Sequence, residues 1–268
     1  MTISAHVALD SIHSKSESPR ITTMILRFPR FILSELNTHR VLSKNSSSSR
    51  AVPVRKIIED VQTDPAMPVE WGTHQPGMQA GAPLSDDEAF VARQIWLDAR
   101  DQAVDIAQSL LNLNLSKQVV NRILEPYSHT SVIVTATEWQ NFFDLRCHPD
   151  ADPTMRALAE TMQDAMDASV PVERIFHIPL VPDFEARQDQ EPLRKLMFIS
   201  AARCARVSYL NHDQSEPDEQ RDLELAGRLA KSRHLSVFEH QAVAMEGKSK
   251  GNRNFVGWYQ HRALVEGD

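Results

Sequence analysis

Asn37-Thr38-His39-Arg40-Val41-Leu42-Ser43-Lys44-Asn45-Ser46-Ser47-Ser48-Ser49-Arg50 is the stretch from which the chain is best read. A helix is expected to run into it. Pro29 suits a first helical turn, where a missing N–H costs nothing, and Ile32, Leu33 and Leu36 then fall on one helical face. His39 and Arg40 come at the end of that helix. Five serines follow within seven residues, closed by Arg50. Hydroxyls, backbone N–H groups and guanidinium donors together suit a phosphate or another anion. The same composition also describes a flexible serine-rich loop that carries two arginines, and the stretch alone does not separate the two readings.

The 268 residues suffice for one large domain or two small ones, and 41% hydrophobic with 24% charged residues is ordinary for a soluble globular protein. A net charge of -7 argues against a broad nucleic-acid footprint, which needs a basic surface. It leaves room for a small anionic ligand held by local arginines. Cys147 and Cys204 form no metal-type or redox-type pair, which points to a reducing, cytosolic setting. No apolar run approaches membrane-spanning length, so no membrane partner is expected. Residues 1–6 lack a basic start followed by an apolar run, so no signal peptide is expected.

Taken in order, residues 21–28 read as a dense apolar strand and 52–61 as a short helix. Residues 64–86 are punctuated by Pro65, Pro68, Gly72, Pro76, Gly77, Gly81 and Pro83. With Trp71, His74, Met78 and Gln79 among them, they read as an ordered lid or substrate loop. Residues 86–111 form a long helix in which Ala92, Ile95, Ala99, Ala103, Ile106 and Leu110 repeat at three and four. A helix over 117–124 stops at Glu125-Pro126. A buried strand over 130–135 precedes a helix over 137–146 that turns Trp139, Phe142 and Phe143 to the core. Asp152-Pro153 caps another helix, with Met155, Leu158, Met162 and Met166 on its core face. Residues 171–192 are the candidate linker between a unit over 1–185 and a second over 190–268, the two packed as one domain. The second unit is read as helices over 193–206 and around Leu223, Ala226 and Leu229, a strand over 241–246, and a basic turn over 248–253. A last helix over 255–264 then places Trp258 and Arg262 on one side. The fold class is mixed α/β.

Several side chains have chemistry worth placing. Arg122 lies at a helix end before Leu124-Glu125-Pro126, where a helix-dipole partner is the simpler reading. Asn141 and Arg146 lie near the end of the aromatic helix, where the same alternative holds. Cys147-His148-Pro149-Asp150-Ala151-Asp152 has no matching second Cys/His pair, so no metal site is expected. Cys147 sits beside an arginine that would lower its pKa, but no base is in view, so a nucleophilic role is not expected. His234, Glu239 and His240 are near one another in sequence and suit either general acid–base work or local capping.

Together these stretches resemble the flavin-dependent thymidylate synthases. Thr38-His39-Arg40, seven residues and Ser48 are similar to that family's Arg-His-Arg-x7-Ser signature, and Asn45 and Arg50 fall where it has an asparagine and a closing arginine. Asn141-Phe142-Phe143-Asp144-Leu145-Arg146 resembles its Asn-Phe-x-x-Leu-Arg, and Ala151-Asp152-Pro153-Thr154-Met155-Arg156 the Ala-Gln-x-Glu-Ile-Arg that follows. Ala205-Arg206-Val207-Ser208 and Ser236-Val237-Phe238-Glu239-His240 resemble its Ala-Arg-Val-Ser and Thr-Pro-Phe-Glu-His. In the family these last two precede the signature; here they follow it, as in a circularly permuted member of phage type. Residues 255–262 resemble a second copy of the helix before the signature. Thr38 replaces the first arginine, Glu35 a glutamine, Ser46 a glutamate, and Asp150 and Thr154 a histidine and a glutamate.

The resemblance implies a mixed or antiparallel sheet packed with long helices. It implies reductive methylation of dUMP to dTMP, with FAD as cofactor and with methylenetetrahydrofolate and NADPH as co-substrates. Arg146 would be the catalytic residue, lying on the uracil edge. Glu35, Ser48, Ser49, Arg50 and Arg122 would join it in holding dUMP, with Arg122 reaching the phosphate from a neighbouring subunit. Thr38, His39, Arg40, Asn45, Asn141, Ser208 and Ser236 would contact FAD. A homotetramer in the cytoplasm of a bacterial or phage-infected cell is implied, with no nucleic-acid partner. Two further readings accompany this one: a flavin-dependent dUMP hydroxymethylase, and a non-catalytic nucleotide- or flavin-binding homologue.

Overall fold

The computed structural model describes residues 3–16, 20–207, 218–247 and 252–267. The apolar run at 21–28 lies within β2 (Arg20–Pro29). This strand pairs antiparallel with β1 (Ser4–Ile12) on one edge and with β4 (His129–Ala136) on the other. The short β3 (Ser43–Ser46) borders β4, and β5 (Val172–Glu173) joins β1 in parallel, so the order is β3-β4-β2-β1-β5.

Side chains alternate across a strand, and β2 is buried on both faces. Met24, Leu26 and Phe28, with Val132 and Val134, face a core built with Leu36, Trp139, Phe142, Met155, Leu158 and Met162. That core lies under α1 (Leu33–Asn37), α5 (Gln140–Arg146) and α6 (Pro153–Asp167). Full burial of an aromatic such as Phe28 or Phe142 is worth about 1.5–3 kcal/mol. On the opposite face Ile21 packs with Ala242, Phe255 and Trp258, and Ile133 with Cys204 and Val207. These partners come from α8 (Leu193–Arg206) and its C-cap, and from a small sheet of β6 (Phe176–His177), β7 (Ala242–Ala244) and β8 (Trp258–Gln260) with the turn before β8. Residues 171–192 contribute β5, β6, the short α7 (Phe184–Arg187) and buried Ile178, Val181 and Phe184.

A separate helical layer holds α2 (Val54–Thr63), α3 (Asp86–Asn112) and α4 (Lys117–Leu124) around Val61, Ala107, Val120 and Leu124. α3 opens with a capping box, Ser85 and Glu88 each bonding the other's backbone N–H. Its expected core face is only partly buried: Ala103 is covered, but Ile95 and Ile106 are 62% and 50% exposed. At 27 residues the helix is about 40 Å long and outreaches its partners. The loop over 64–86 is ordered. Trp96 on α3 donates from its indole to the Ala66 carbonyl at 3.0 Å and meets Trp71 edge-on at 6.1 Å. Gly72 must be glycine, because a Cβ there would lie 2.6 Å from the Ala80 Cβ.

The last expected helix is a correction. Residues 258–260 are strand β8, and only α10 (His261–Glu266) is helical. Gly257 adopts φ +74°, which breaks a helix, and the strand then delivers Trp258 to full burial. Trp258 and Arg262 therefore share no side: Arg262 pairs with Glu239 and Glu266. Of the expected basic turn, residues 248–251 lie outside the described residues.

α8 and α9 (Glu219–Lys231) are joined by a buried triad, Asp222 accepting from Arg203 at 2.9 Å and from Arg206. Removing one member of such a group strands the other charges. Asp222→Ala is expected to lower stability by about 3–5 kcal/mol in urea unfolding. Replacing the group with apolar residues of similar volume should cost far less.

Candidate active site

Arg146 ends α5, whose Phe142 and Phe143 are buried in the main core. Its Nε donates to His39 Nε2 at 2.8 Å and its Nη2 to Thr38 Oγ1 at 3.3 Å, while Nη1 lies 3.6 Å from Glu35 Oε2. A guanidinium only donates, so His39 Nε2 carries the lone pair and its proton sits on Nδ1. The imidazole is buried edge-on to Phe142 at 4.9 Å. Burial, then Arg146 and Lys44, push its pKa down to about 4. Lys44 donates to the His39 carbonyl, and burial lowers its pKa to about 8 against the pull of Glu239. Burial and Asp152 push the Glu35 carboxyl up, opposed by Arg146. The helix leading into this cluster stops at Asn37, short of the expected His39, because Thr38 Oγ1 takes the Glu35 carbonyl at 2.7 Å.

Asn45 belongs to the edge strand β3, and its amide lies 3.1 Å from both Ser236 Oγ and His240 Nε2. Both partners come from the 3-10 helix Leu235–Glu239 and its C-cap, which pack against β3. Gln260 and Asn254 secure the same strand by donating to Ser43 Oγ at 3.1 and 3.2 Å. His234, Glu239 and His240 do not form a cluster. His234 is exposed and bonds Ser232, Glu239 pairs with Arg262, and His240 is buried between Asn45 and Thr135. A tight 3-10 turn throws the three side chains in different directions.

Beyond β3, Ser48 and Arg50 are exposed, with no side-chain partner among the described residues. Ser49 is buried, and its hydroxyl donates to Glu125 at 2.5 Å. Arg122, at the end of α4, donates to the same carboxylate at 3.2 Å. Asn121 clamps the loop by donating to the Ser49 and Val52 carbonyls at 2.7 and 3.0 Å. Arg40 and Asn141 are exposed and likewise without a side-chain partner among the described residues, and Ser208 lies outside them.

A cleft of about 1320 Å³ opens beside Arg146. Its walls include Glu35, Trp71, Met78, Arg93 and Asp152, so the ordered 64–86 loop forms one side of it. Cys147 is bonded to Gln163, and burial with Glu160, Asp164 and Asp144 raises its thiol pKa, the opposite of an activated nucleophile. No group of three or more His, Cys, Asp or Glu side chains among the described residues is placed to hold a metal. No helix among them is long and apolar enough to cross a membrane.

Glu125, Thr135 and His177 lie outside every motif, and Lys44 has no role in the signature's pattern. Lys44 was in plain view inside the signature, but its burial depends on neighbours far away in the chain. Five imidazoles are pushed down chiefly by burial: His39, His129 and His261 to about 4, His177 and His240 to about 3. Unfolded histidines bind a proton near pH 6.5, so the unfolded chain holds more protons below that pH. Stability is expected to be intact above pH 6.5 and to fall as pH drops toward 4 and below. Glu35, with its raised pKa, opposes the trend by one proton. Unfolding free energy measured against pH checks this; a flat profile between pH 4 and 6.5 contradicts it.

The family model described as "Thymidylate synthase complementing protein" matches residues 3–172. The Val-Ser and Phe-Glu-His stretches lie beyond that match. No curated protein is similar in sequence. Among solved structures, the UMP/dUMP methylase PolB from Streptomyces cacaoi bound with 5-Br dUMP is similar at 21% identity, covering 55% of this chain and 66% of that one, with a TM-score of 0.44. The same protein bound with 5-Br UMP is similar at 18% identity over 62% of this chain and 88% of that one, with a TM-score of 0.47. Thymidylate Synthase X from Helicobacter pylori with FAD and dUMP is similar at 18% identity over 55% and 67%, with a TM-score of 0.39. The chain thus spans just under two thirds of the first of these. The family match takes in well over half of the chain, which belongs to the thymidylate synthase complementing protein family, the group of flavin-dependent thymidylate synthases that its motifs resemble.

Proposed function

We propose that the protein is an FAD-dependent enzyme that methylates dUMP reductively to dTMP, taking carbon from methylenetetrahydrofolate and electrons from NADPH. The carrying observation is the contact between Arg146 and His39, which joins two motifs 107 residues apart on the wall of a large cleft. Neutral His39 accepts the Nε–H and leaves the Nη groups facing Glu35, Thr38 and the cleft. A guanidinium cannot lose its proton, so Arg146 suits a uracil edge on which negative charge develops as the ring is made nucleophilic. Ser48 and Arg50 are exposed donors available to a phosphate dianion. Arg122 and Ser49 share Glu125, which spaces them beside that loop. Asn45 and Ser236, half-enclosed beside Lys44, with exposed Arg40 and Asn141, form a donor and acceptor set that fits a flavin dinucleotide. Bound FAD, once reduced, supplies the electrons of the methylation. The exposed Phe90, Val91, Ile95 and Ile106 on α3 support assembly into a homo-oligomer, in keeping with a tetramer.

One observation favours a second reading, hydroxymethylation of the same carbon. Glu35 sets a carboxylate in the cleft beside Arg146, where it could hold a water for attack on the bound one-carbon unit.

Purified protein should bind FAD, and one that shows no flavin absorbance and takes up none on addition overturns the proposal. Product mass after incubation with dUMP, methylenetetrahydrofolate, FAD and NADPH separates added methyl from added hydroxymethyl. Growth of a thymidine-requiring bacterial strain carrying the gene would eliminate a non-catalytic role. Arg146→Ala should keep the fold and lose turnover by about 100-fold or more. Cys147→Ser should stay near wild-type, whereas complete inactivation would point to a nucleophilic thiol.

A further inference from the structure

Thr23 and Thr135 are register partners at the centre of the main sheet, both fully buried, with hydroxyls 2.7 Å apart. Each also reaches a fully buried imidazole, Thr23 meeting His177 Nε2 at 2.8 Å and Thr135 meeting His240 Nδ1 at 2.9 Å. The outer ring nitrogens continue the chain. His177 Nδ1 lies 2.8 Å from Ser11 Oγ on β1, and His240 Nε2 lies 3.1 Å from the Asn45 amide on β3. Six polar side chains thus cross the sheet from β1 to β3, on the face covered by α8 and the small sheet.

Each hydroxyl has one proton, and each neutral imidazole has one N–H and one lone pair. A hydroxyl oxygen can accept two hydrogen bonds, so every link is made with no threonine proton left unpaired only when all donors point the same way. Two directions satisfy this, and they require opposite orientations of the Asn45 amide. That amide is best satisfied with its nitrogen toward His240 and toward the Ser236 carbonyl at 2.9 Å, and its oxygen toward Ser236 Oγ. The direction follows: Asn45 donates to His240 Nε2, His240 Nδ1–H to Thr135, Thr135 to Thr23, Thr23 to His177 Nε2, and His177 Nδ1–H to Ser11.

We infer that this buried wire sets the hydrogen-bond polarity that Asn45 and Ser236 present to bound flavin, with Thr23, Thr135 and His177 as positioning residues. The inference rests on the reading of Asn45 and Ser236 as flavin contacts. None of the three touches the cleft beside Arg146, and no motif marks them. Their role comes from a wire that is fully satisfied in one direction at a time, since reversing any one link leaves another unmade or a buried threonine proton unpaired.

Nitrogen NMR of the full chain labelled at histidine reads the tautomers directly, with or without flavin. Both His177 and His240 should be neutral Nδ1–H tautomers. In Thr135→Val, His240 loses its acceptor and should move to the Nε2–H form, turning the Asn45 amide over and weakening FAD binding about tenfold. Thr135→Ser, which keeps the hydroxyl, should restore both. An Nε2–H form of either ring in the wild-type protein overturns the inference, and that spectrum decides even where Thr135→Val does not fold. An unchanged His240 tautomer or unchanged FAD affinity in folded Thr135→Val overturns it as well. Wild-type protein that binds no FAD overturns the flavin role of the wire together with the flavin reading, while the spectrum still reports the wire's direction.

Discussion

Strand β2 is hydrogen-bonded along both edges and buried on both faces, and this double burial organises the molecule. One face must be covered by α1, α5 and α6, the other by α8 and the small sheet. Two of the helices on the first face, α1 and α5, end at the Arg146 cluster, so the core that holds the sheet also aims the guanidinium. Phe142 shows the link: it packs beneath His39 while its helix carries Arg146 to the same imidazole.

The segment from Glu35 to Arg50 passes three chemically different stations. It first meets Arg146 through Glu35, Thr38 and His39. It then becomes an edge strand whose Asn45 meets Ser236 and His240. It ends in a loop where Ser49 and Arg122 share Glu125. Its neighbours at these stations come from α5, from the 3-10 helix after α9, and from α4. Under the proposed function, one short stretch brings a pyrimidine, a flavin and a phosphate into a single arrangement, because each station is held by a separate part of the fold.

Motif order matters little to such a site. The Phe-Glu-His stretch follows the signature by almost two hundred positions, yet Ser236 and His240 lie on Asn45. A sheet edge accepts a covering turn whatever its place in the chain, provided the connections stay on the surface. The departures from the family pattern are absorbed locally. Thr38 bonds both the Glu35 carbonyl and Arg146, and Glu35 supplies a carboxylate to Arg146 where the resemblance has an amide.

Periodicity determined most helices, because burial of one face repeats every 3.6 residues, and dense apolar runs determined the two central strands, because a strand buried on both faces is apolar along its length. The signature spacing and the Asn-Phe-x-x-Leu-Arg helix likewise singled out His39, Asn45 and Arg146, since local motifs keep their intervals, and the structure brings His39 to Arg146 and Asn45 to Ser236. Tertiary structure decided what depends on distant neighbours. Trp258 lies in a strand and not a helix because Gly257 turns the chain and the far face of β2 needs a large side chain. Ile95 and Ile106 stay exposed because α3 outreaches its partners. His177, Thr23 and Thr135 form one wire because the fold sets hydroxyls and imidazoles from five separate segments within hydrogen-bonding reach, a relation with no signature in linear sequence.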